Sequence, residues 1–278
     1  MSNIFEGHLM LRAEARPGGR TALAGQSFRA PYYVGKSYLD TDSGVLMVQV
    51  ANPTAGILSG DRLESAITVA ADAKLLVTTP SASRVFPMNA GEAVSRQTFA
   101  VETGGWLEML PEPLVPHRRS TYRQDTSVEI AAGGGVFFVE QLMPGRVGHG
   151  EAWEWDRLVL TLDVRVDGEW VLRERFDQSG ASLRAMAVAA GTGPESCFAN
   201  GLVVVPGADA AETNPAWREA LHALHGDGVW IGATALGAGA WSLRIVAANG
   251  VTLRAAVQQV RAILAEVCPA LRCGLRKL

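Results

Sequence analysis

Charged residues are scarce in this 278-residue sequence: they make up 19% of it, against about 25% in ordinary soluble proteins. The formal net charge is −3, so the chain lacks the basic surface with which proteins bind phosphate backbones. A nucleic acid is therefore not an expected partner. The low charge also indicates that part of the surface is apolar and is covered by another subunit.

Cysteines and long apolar runs are few as well. Cys197, Cys268 and Cys273 have no repeated C-x-x-C spacing, which argues against a disulfide framework and a structural zinc site and fits a reducing cytoplasm. No run approaches about 18 apolar residues, and the first residues have neither the basic nor the apolar segment of a signal peptide. The sequence therefore predicts a cytoplasmic protein without a membrane partner.

Motifs for nucleotide binding and nucleophilic catalysis are missing or incomplete. Residues 30–37 would match a phosphate-binding loop if Ala30 were glycine, and Pro31 does not suit a backbone that must wrap a phosphate. His222 and His225 are three residues apart near a predicted helix end, but no third metal ligand has a recognisable spacing. There is no Gly-x-Ser-x-Gly elbow. We therefore predict neither a nucleotide site nor a nucleophilic active site.

The alternation of apolar residues predicts a mainly β protein. A faint repeat aligns Val69, Ala100 and Ile130, each followed by a turn of small residues and an apolar strand. Such a unit cannot bury its own apolar face, so stacked copies are expected, with ordinary hairpins as the alternative. The predicted fold is a single domain over residues 1–278, with stacked antiparallel, β-helix-like sheets.

Two α-helices are predicted, both in the C-terminal quarter, and none before it. Asn214 and Pro215 are suited to the start of the first, which Gly226 would end. Residues 251–267 carry apolar residues at helical spacing and end before Pro269, which predicts the second helix.

Carboxylates inside apolar surroundings are the candidate functional residues. Glu140 lies in the apolar run 137–143 on the same side as Phe138, Glu174 lies in the strand 170–176, and Asp61 ends a glycine-containing loop. A carboxylate in a core is costly unless it is paired with a cation, bound to a metal or in contact with internal water. Two alternatives stay open: turn chemistry alone explains the Asp61 loop, and Glu140 pairs with an arginine such as Arg84, Arg146 or Arg175.

Several stretches together resemble the UreD family of urease accessory proteins, also called UreH. The resemblance runs from about Gly7 to the C-terminus, and no single motif is decisive. It is carried by the order and spacing of Asn52–Leu63, Leu76–Phe86, Leu107–Pro113, Glu140–Gly150 and Val171–Phe176.

The resemblance implies a non-catalytic cytoplasmic scaffold, rich in β structure. It implies the partners UreF, the GTPase UreG and apo-urease, with two copies in the assembled complex. No cofactor would be tightly bound. Nickel would pass in transit along an internal polar route, and the positions that match the family's route are Asp61, Ser83, Glu140 and Glu174.

Other functions remain as alternatives at this point. A β-solenoid hydrolase would use Asp61, Glu140 and Glu174 as acid and base groups, and it would need an open groove lined with aromatic residues. A plain binding module would not need these carboxylates. The tail from Gly274 onward departs from the family's usual ending, so a UreD-like paralogue that serves another metalloenzyme is a further alternative.

Overall fold

The computed structural model describes residues 6–89, 91–189, 191–207 and 216–275. Most of its strands belong to two sheets. The first sheet has the spatial order β15 (Glu169–Gln178), β14 (Arg157–Val166), β12 (Thr121–Ile130), β9 (Ala93–Val101), β6 (Arg62–Val69), β1 (Glu6–Arg16) and β2 (Arg20–Arg29). The second has the order β17 (Val229–Gly237), β18 (Ala240–Ala247), β16 (Cys197–Val204), β13 (Gly135–Leu142), β10 (Trp106–Leu110), β7 (Lys74–Thr78), β5 (Leu46–Ala51) and β3 (Tyr33–Val34). The short strands β4 (Tyr38–Leu39), β8 (Ser83–Val85) and β11 (Leu114–Pro116) join the second sheet beside this path.

The chain winds between the two sheets as in a β-solenoid. From β5 to β14 successive long strands alternate between the second sheet and the first, and each new strand lies parallel to the one laid down a coil earlier. The predicted mainly β, β-helix-like stacking is confirmed. The antiparallel part of that prediction is wrong for the centre, because a coil returns the chain in the same direction. Antiparallel pairs join the strands at the two ends, such as β1 with β2 and β14 with β15.

The internal repeat is real, but its predicted alignment is one residue off in the middle copy, since Val101 pairs with both Val69 and Ile130. Val69 pairs with Val101 rather than with Ala100, and Leu75 pairs with Leu107. Equivalent tight turns precede the second-sheet strands, where Gly105 N donates to Glu102 O and Gly134 N to Ala131 O. Two adjacent glycines, Gly104 and Gly105, permit either alignment in the sequence. Only one register puts the same face of every coil inside, because side chains alternate along a strand.

The second sheet buries both of its faces. Phe138 belongs to the apolar cluster between the two sheets, whereas Phe137 and Val139 belong to a separate cluster beneath the C-terminal helices. Glu140 follows in this alternation and faces the first sheet with Phe138, as the sequence predicted. A strand that is buried on both sides reads as a continuous apolar run, which is what residues 136–139 show.

The structure contains three α-helices in its described residues, one more than predicted. They are α1 (Gly180–Ala189), α2 (Ala216–His222) and α3 (Gly250–Leu264). The predicted start of α2 at Asn214 and Pro215 lies outside the described residues. Helix α3 begins one residue earlier than predicted, because the side chain of Asn249 accepts hydrogen bonds from Val251 N and Thr252 N.

The expectation of no helix before the last quarter is wrong, because α1 lies there. Only Gly180, Leu183 and Ala187 of this helix are buried, so its apolar stripe is too thin to stand out in the sequence. Gly180 is required by packing, since a Cβ at this position would lie 2.3 Å from Trp153 O. Within the described part of the chain, no helix has both the length and the apolar composition that crossing a membrane requires.

Candidate functional site

A cavity of about 350 Å³ lies between the two sheets. Apolar side chains such as Phe99 and Phe138 form part of its wall. The loops before β6 and around β8 contribute further lining, including Gly56 and Ser83. Polar side chains line it as well, among them Gln97, Tyr122, Gln124, Glu140, Glu174 and Arg244. The cavity between the sheets therefore combines apolar and polar side chains in its lining.

Strand register explains why the polar residues meet. In the second sheet Glu140 lies opposite Asn200, and Asn200 lies opposite Arg244, so the three form one row across β13, β16 and β18. In the first sheet, a row that includes Gln97 leads across β12 and β14 to Glu174. Residues in one row share a face, and these two rows face each other across the cavity.

An amide network connects Glu140 to the opposite sheet. Gln124 Nε2 donates to Glu140 Oε1 at 2.5 Å. Gln124 Oε1 accepts from the Tyr122 hydroxyl at 3.1 Å and from Gln97 Nε2 at 3.3 Å. Glu140 is thus held by a neutral donor, which orients the carboxylate without neutralising it.

The alternative in which an arginine pairs with Glu140 is wrong. Arg146 Nη2 lies 2.5 Å from Glu151 Oε1, and Arg175 Nη2 lies 2.8 Å from Asp177 Oδ2. Among the described residues, no arginine forms an ion pair with Glu140.

The proton affinity of Glu140 is unusually high. Burial raises its pKa from the ordinary 4.5 to about 7, and the nearby Glu174 carboxylate acts in the same direction. The Gln124 hydrogen bond and the charge of Arg244 lower the pKa by less. Near neutral pH this carboxyl therefore exchanges readily between its protonated and ionised forms.

Glu174 and Ser83 also line the cavity. Glu174 reaches in from β15, and its Oε1 lies 2.7 Å from Arg244 Nη2. Ser83 begins β8, where its amide donates to Pro113 O at 2.9 Å. The structure thus brings three of the four predicted route residues, Ser83, Glu140 and Glu174, to one cavity.

Asp61 is fully buried, yet it does not belong to the cavity wall. Its Oδ2 accepts from Leu58 N at 2.9 Å, and its own amide donates to Leu58 O at 3.1 Å. Gly56 in the same loop has φ +148°, and a Cβ there would lie 2.4 Å from Arg84 O. Turn chemistry accounts for these contacts, so Asp61 shapes the loop that forms part of the cavity wall.

Two carboxylates that the sequence analysis missed are Glu108 and Glu112. Glu112 lines the cavity and also a smaller one of about 30 Å³, and its Oε2 lies 2.6 Å from Arg254 Nη2 on α3. Glu108 is completely buried on the opposite face and binds Arg261. For Glu108 the signal is the same as for Glu140, a carboxylate in an apolar strand, whereas Glu112 lies between Pro111 and Pro113 after the end of β10 and carries no such signal.

The described residues contain no group of three or more histidine, cysteine or acidic side chains that could hold a metal ion. His222 ends α2, and His225 N donates to His222 O, which is the helix-end position expected for this pair. The fold and the cavity therefore define a class: a β-solenoid-like protein whose acidic groups are distributed along an internal cavity.

Comparisons with known proteins identify the family. A family model described as the UreD urease accessory protein matches residues 5–273. The urease accessory protein UreD of Opitutus terrae is 57% identical over 274 residues, which cover 99% of each chain. That of Deinococcus radiodurans is 32% identical over 253 residues, which cover 87% of this chain and 84% of the relative. The chain belongs to the UreD family of urease accessory proteins.

Proposed function

We propose that this chain is a non-catalytic maturation factor that binds apo-urease and lets nickel cross its internal cavity. Membership of the UreD family supports the role in urease maturation. The observation that carries the nickel route is the polar wall of the cavity, where Glu140 and Glu174 offer oxygen ligands. The proposed setting is the cytoplasm, with UreF and the GTPase UreG as further partners and two copies in the complex.

The chemistry of the wall suits transit better than storage. Nickel accepts oxygen and nitrogen ligands, and a tight site would gather several histidines or thiolates around it. Here each carboxylate already has another partner: Gln124 for Glu140 and Arg244 for Glu174. A cation therefore competes with these contacts for carboxylate oxygens, which favours release. Asp61 contributes by shaping the wall, and its contact with passing nickel stays a prediction.

Replacement of Glu140 tests the route. We expect Glu140→Gln to leave assembly with urease unchanged in size-exclusion chromatography and to lower the nickel content of purified urease. An amide oxygen is a much weaker nickel ligand than a carboxylate, while its size is the same. Glu64→Gln is the matched control, because Glu64 lies on the solvated face of the first sheet with its side chain 69% exposed. Unchanged nickel content in the Glu140 variant would refute the route.

The pH dependence of nickel uptake gives a second test. The charged groups that face Glu140 are Glu174 on β15 and Arg244 on β18, beside the neutral Gln124. Because the pKa of Glu140 is about 7, nickel must displace its proton below that pH. We expect the affinity of the purified protein for nickel to rise between pH 6 and pH 8, and this rise to be lost in Glu140→Gln. An equal rise in nickel affinity in both proteins would mean that the proton displaced by nickel belongs to a group other than Glu140.

A glycoside hydrolase would use the same two carboxylates as acid and base. That function predicts sugar release that depends on Glu140, whereas the maturation role predicts none. Assay of the purified chain on aryl glycosides therefore separates the two functions.

A further inference from the structure

Arg244 has a position in the cavity that the proposed nickel route does not use. It ends the row that begins at Glu140 and passes through Asn200, and its neighbour on the outer strand β17 is Gly232. A Cβ at Gly232 would meet no atom within 4 Å, so the position directly beside Arg244 on that strand is open. Its side chain keeps 43% of its surface exposed. The guanidinium is therefore held in place by its contacts, not by close packing.

Two contacts hold this guanidinium. Arg244 Nη2 lies 2.7 Å from Glu174 Oε1, and Arg244 Nη1 donates to Leu243 O at 3.0 Å. Both charged residues line the cavity. The positive charge thus lies against one of the carboxylates that the proposed route offers to a metal cation.

The charge balance of the wall depends on this residue. Without Arg244, ionised Glu140 and Glu174 would present two negative charges to a divalent cation. With it, these three groups carry a total of one negative charge, beside the further lining charges of Arg84 and Glu112. At the effective dielectric constant of a partly solvated protein interior, a single charge at contact distance changes a binding constant by at least about tenfold.

We propose that Arg244 limits the affinity of the cavity for divalent cations, because its guanidinium competes with the cation for Glu174. A cation enters by displacing the guanidinium, and the returning guanidinium displaces the cation. Arg244 is a positioning residue in this scheme, since it acts through Glu174 and does not touch the cation. The inference deepens the proposed nickel route and rests on it.

Nickel binding to the full-length chain tests the inference. Titration calorimetry with nickel chloride at pH 7.5 compares the unaltered protein with Arg244→Met, and we expect the variant to bind about tenfold more tightly. Arg244→Lys keeps the positive charge and should restore weak binding. Arg175→Met is the matched control, because Arg175 is the next residue after Glu174 on β15 and pairs with Asp177 away from the cavity.

A double variant separates this role from a purely structural one. Glu174→Gln combined with Arg244→Met removes both partners, and the gain in affinity should disappear. Equal or weaker nickel binding by Arg244→Met, with an unchanged circular dichroism spectrum, would overturn the inference, and so would no detectable binding by either protein.

The binding experiment contains no urease, so it fails separately from the proposed function. If Arg244→Met binds nickel more tightly while Glu140→Gln leaves the nickel content of urease unchanged, the arginine's role stands and the delivery route is refuted. If Glu140→Gln lowers that content while Arg244→Met binds no more tightly, the route stands and the arginine's role is refuted.

Discussion

The two faces of the second sheet each carry a carboxylate inside an apolar strand, and they hold it in different ways. Glu108 on β10 points to the C-terminal helices, where Arg261 Nε and Nη2 bind its two oxygens at 2.6 and 2.9 Å. Glu140 on β13 points to the cavity, where a glutamine amide holds it. A bidentate ion pair locks a helix to a sheet, whereas a neutral donor leaves the charge available.

Within one sheet, the carboxylate of Glu108 therefore stabilises the packing, whereas that of Glu140 belongs to the proposed nickel route. On the helix side, Arg254 and Arg261 are seven residues apart on α3 and reach Glu112 and Glu108. A spacing of seven places both arginines on one face of the helix, so together they fix α3 against the sheet. On the cavity side, residues of both sheets share polar contacts along the cavity wall. A fully buried charge that is fully paired serves packing, and one beside a cavity can serve a ligand.

Breaking the ion pair of Glu108 and Arg261 should have the largest effect on stability. Arg261→Met leaves Glu108 buried without its cation, and we expect the free energy of unfolding to fall by about 3–5 kcal/mol. Chemical denaturation measures the loss. The double variant with Glu108→Leu removes both charges and should recover most of that stability. If the single variant lost less than the double one, the pair would not be what holds α3.

On the cavity side, replacing the carboxylate should instead raise stability. The folded-state pKa of Glu140 is raised from 4.5 to about 7, so its contribution to stability is present below pH 4.5 and is lost as the pH rises through 7. Glu140→Gln cannot ionise and should be more stable than the unaltered protein at pH 8, by up to about 3 kcal/mol. Thermal unfolding at pH 5 and pH 8 checks this sign. A variant that is less stable at pH 8 would contradict the raised pKa.

A smaller effect is expected from the cap of α3. Asn249→Ala removes the acceptor for Val251 N and Thr252 N and should cost about 1 kcal/mol of stability. Nickel affinity should not change, because Asn249 lies outside the cavity wall. Calorimetry of unfolding and of nickel binding on the same sample tests both statements. A change in nickel affinity would show that the two faces are coupled.

The smallest effect is expected on the solvated face of the first sheet. Glu64 lies 3.8 Å from Arg96, and both side chains are about 70% exposed. Exposed pairs of this kind contribute roughly 0–1 kcal/mol, so Glu64→Gln should change stability by less than about 0.5 kcal/mol. A larger loss in chemical denaturation would mean that the pair of Glu64 and Arg96 stabilises the protein more than its exposure allows.

Local patterns in the sequence predicted the elements better than the connections between them. The Asp167-Gly168 pair between the runs that form β14 and β15 is typical of a hairpin turn, and both residues have positive φ, as such a turn requires. No local pattern predicts helix α1, because only two residues after Gly180 are buried and they do not form an apolar face that can be recognised in the sequence. The parallel direction of the central strands was missed because side-chain alternation is identical in parallel and antiparallel sheets.

For the site, the sequence indicated which carboxylates are unusual but not where they meet. Glu140 was recognised because it interrupts an apolar strand, and the structure confirms the face to which it points. Asp61 matched the same family pattern, but its loop turns the carboxylate back on Leu58 N. The sequence does not indicate that Arg244 belongs to the site, since nothing in a single strand shows that this residue lies two strands from Glu140.

The sequence by itself determined the family, the mainly β composition and the face of its strand on which Glu140 lies, because each depends on local order and alternation. Only the tertiary structure decided the coil direction, the register of the repeat, and which charges share a cavity. Those properties arise where strands far apart in the chain are brought side by side, and a shift of one residue would turn Glu140 away from Gln124.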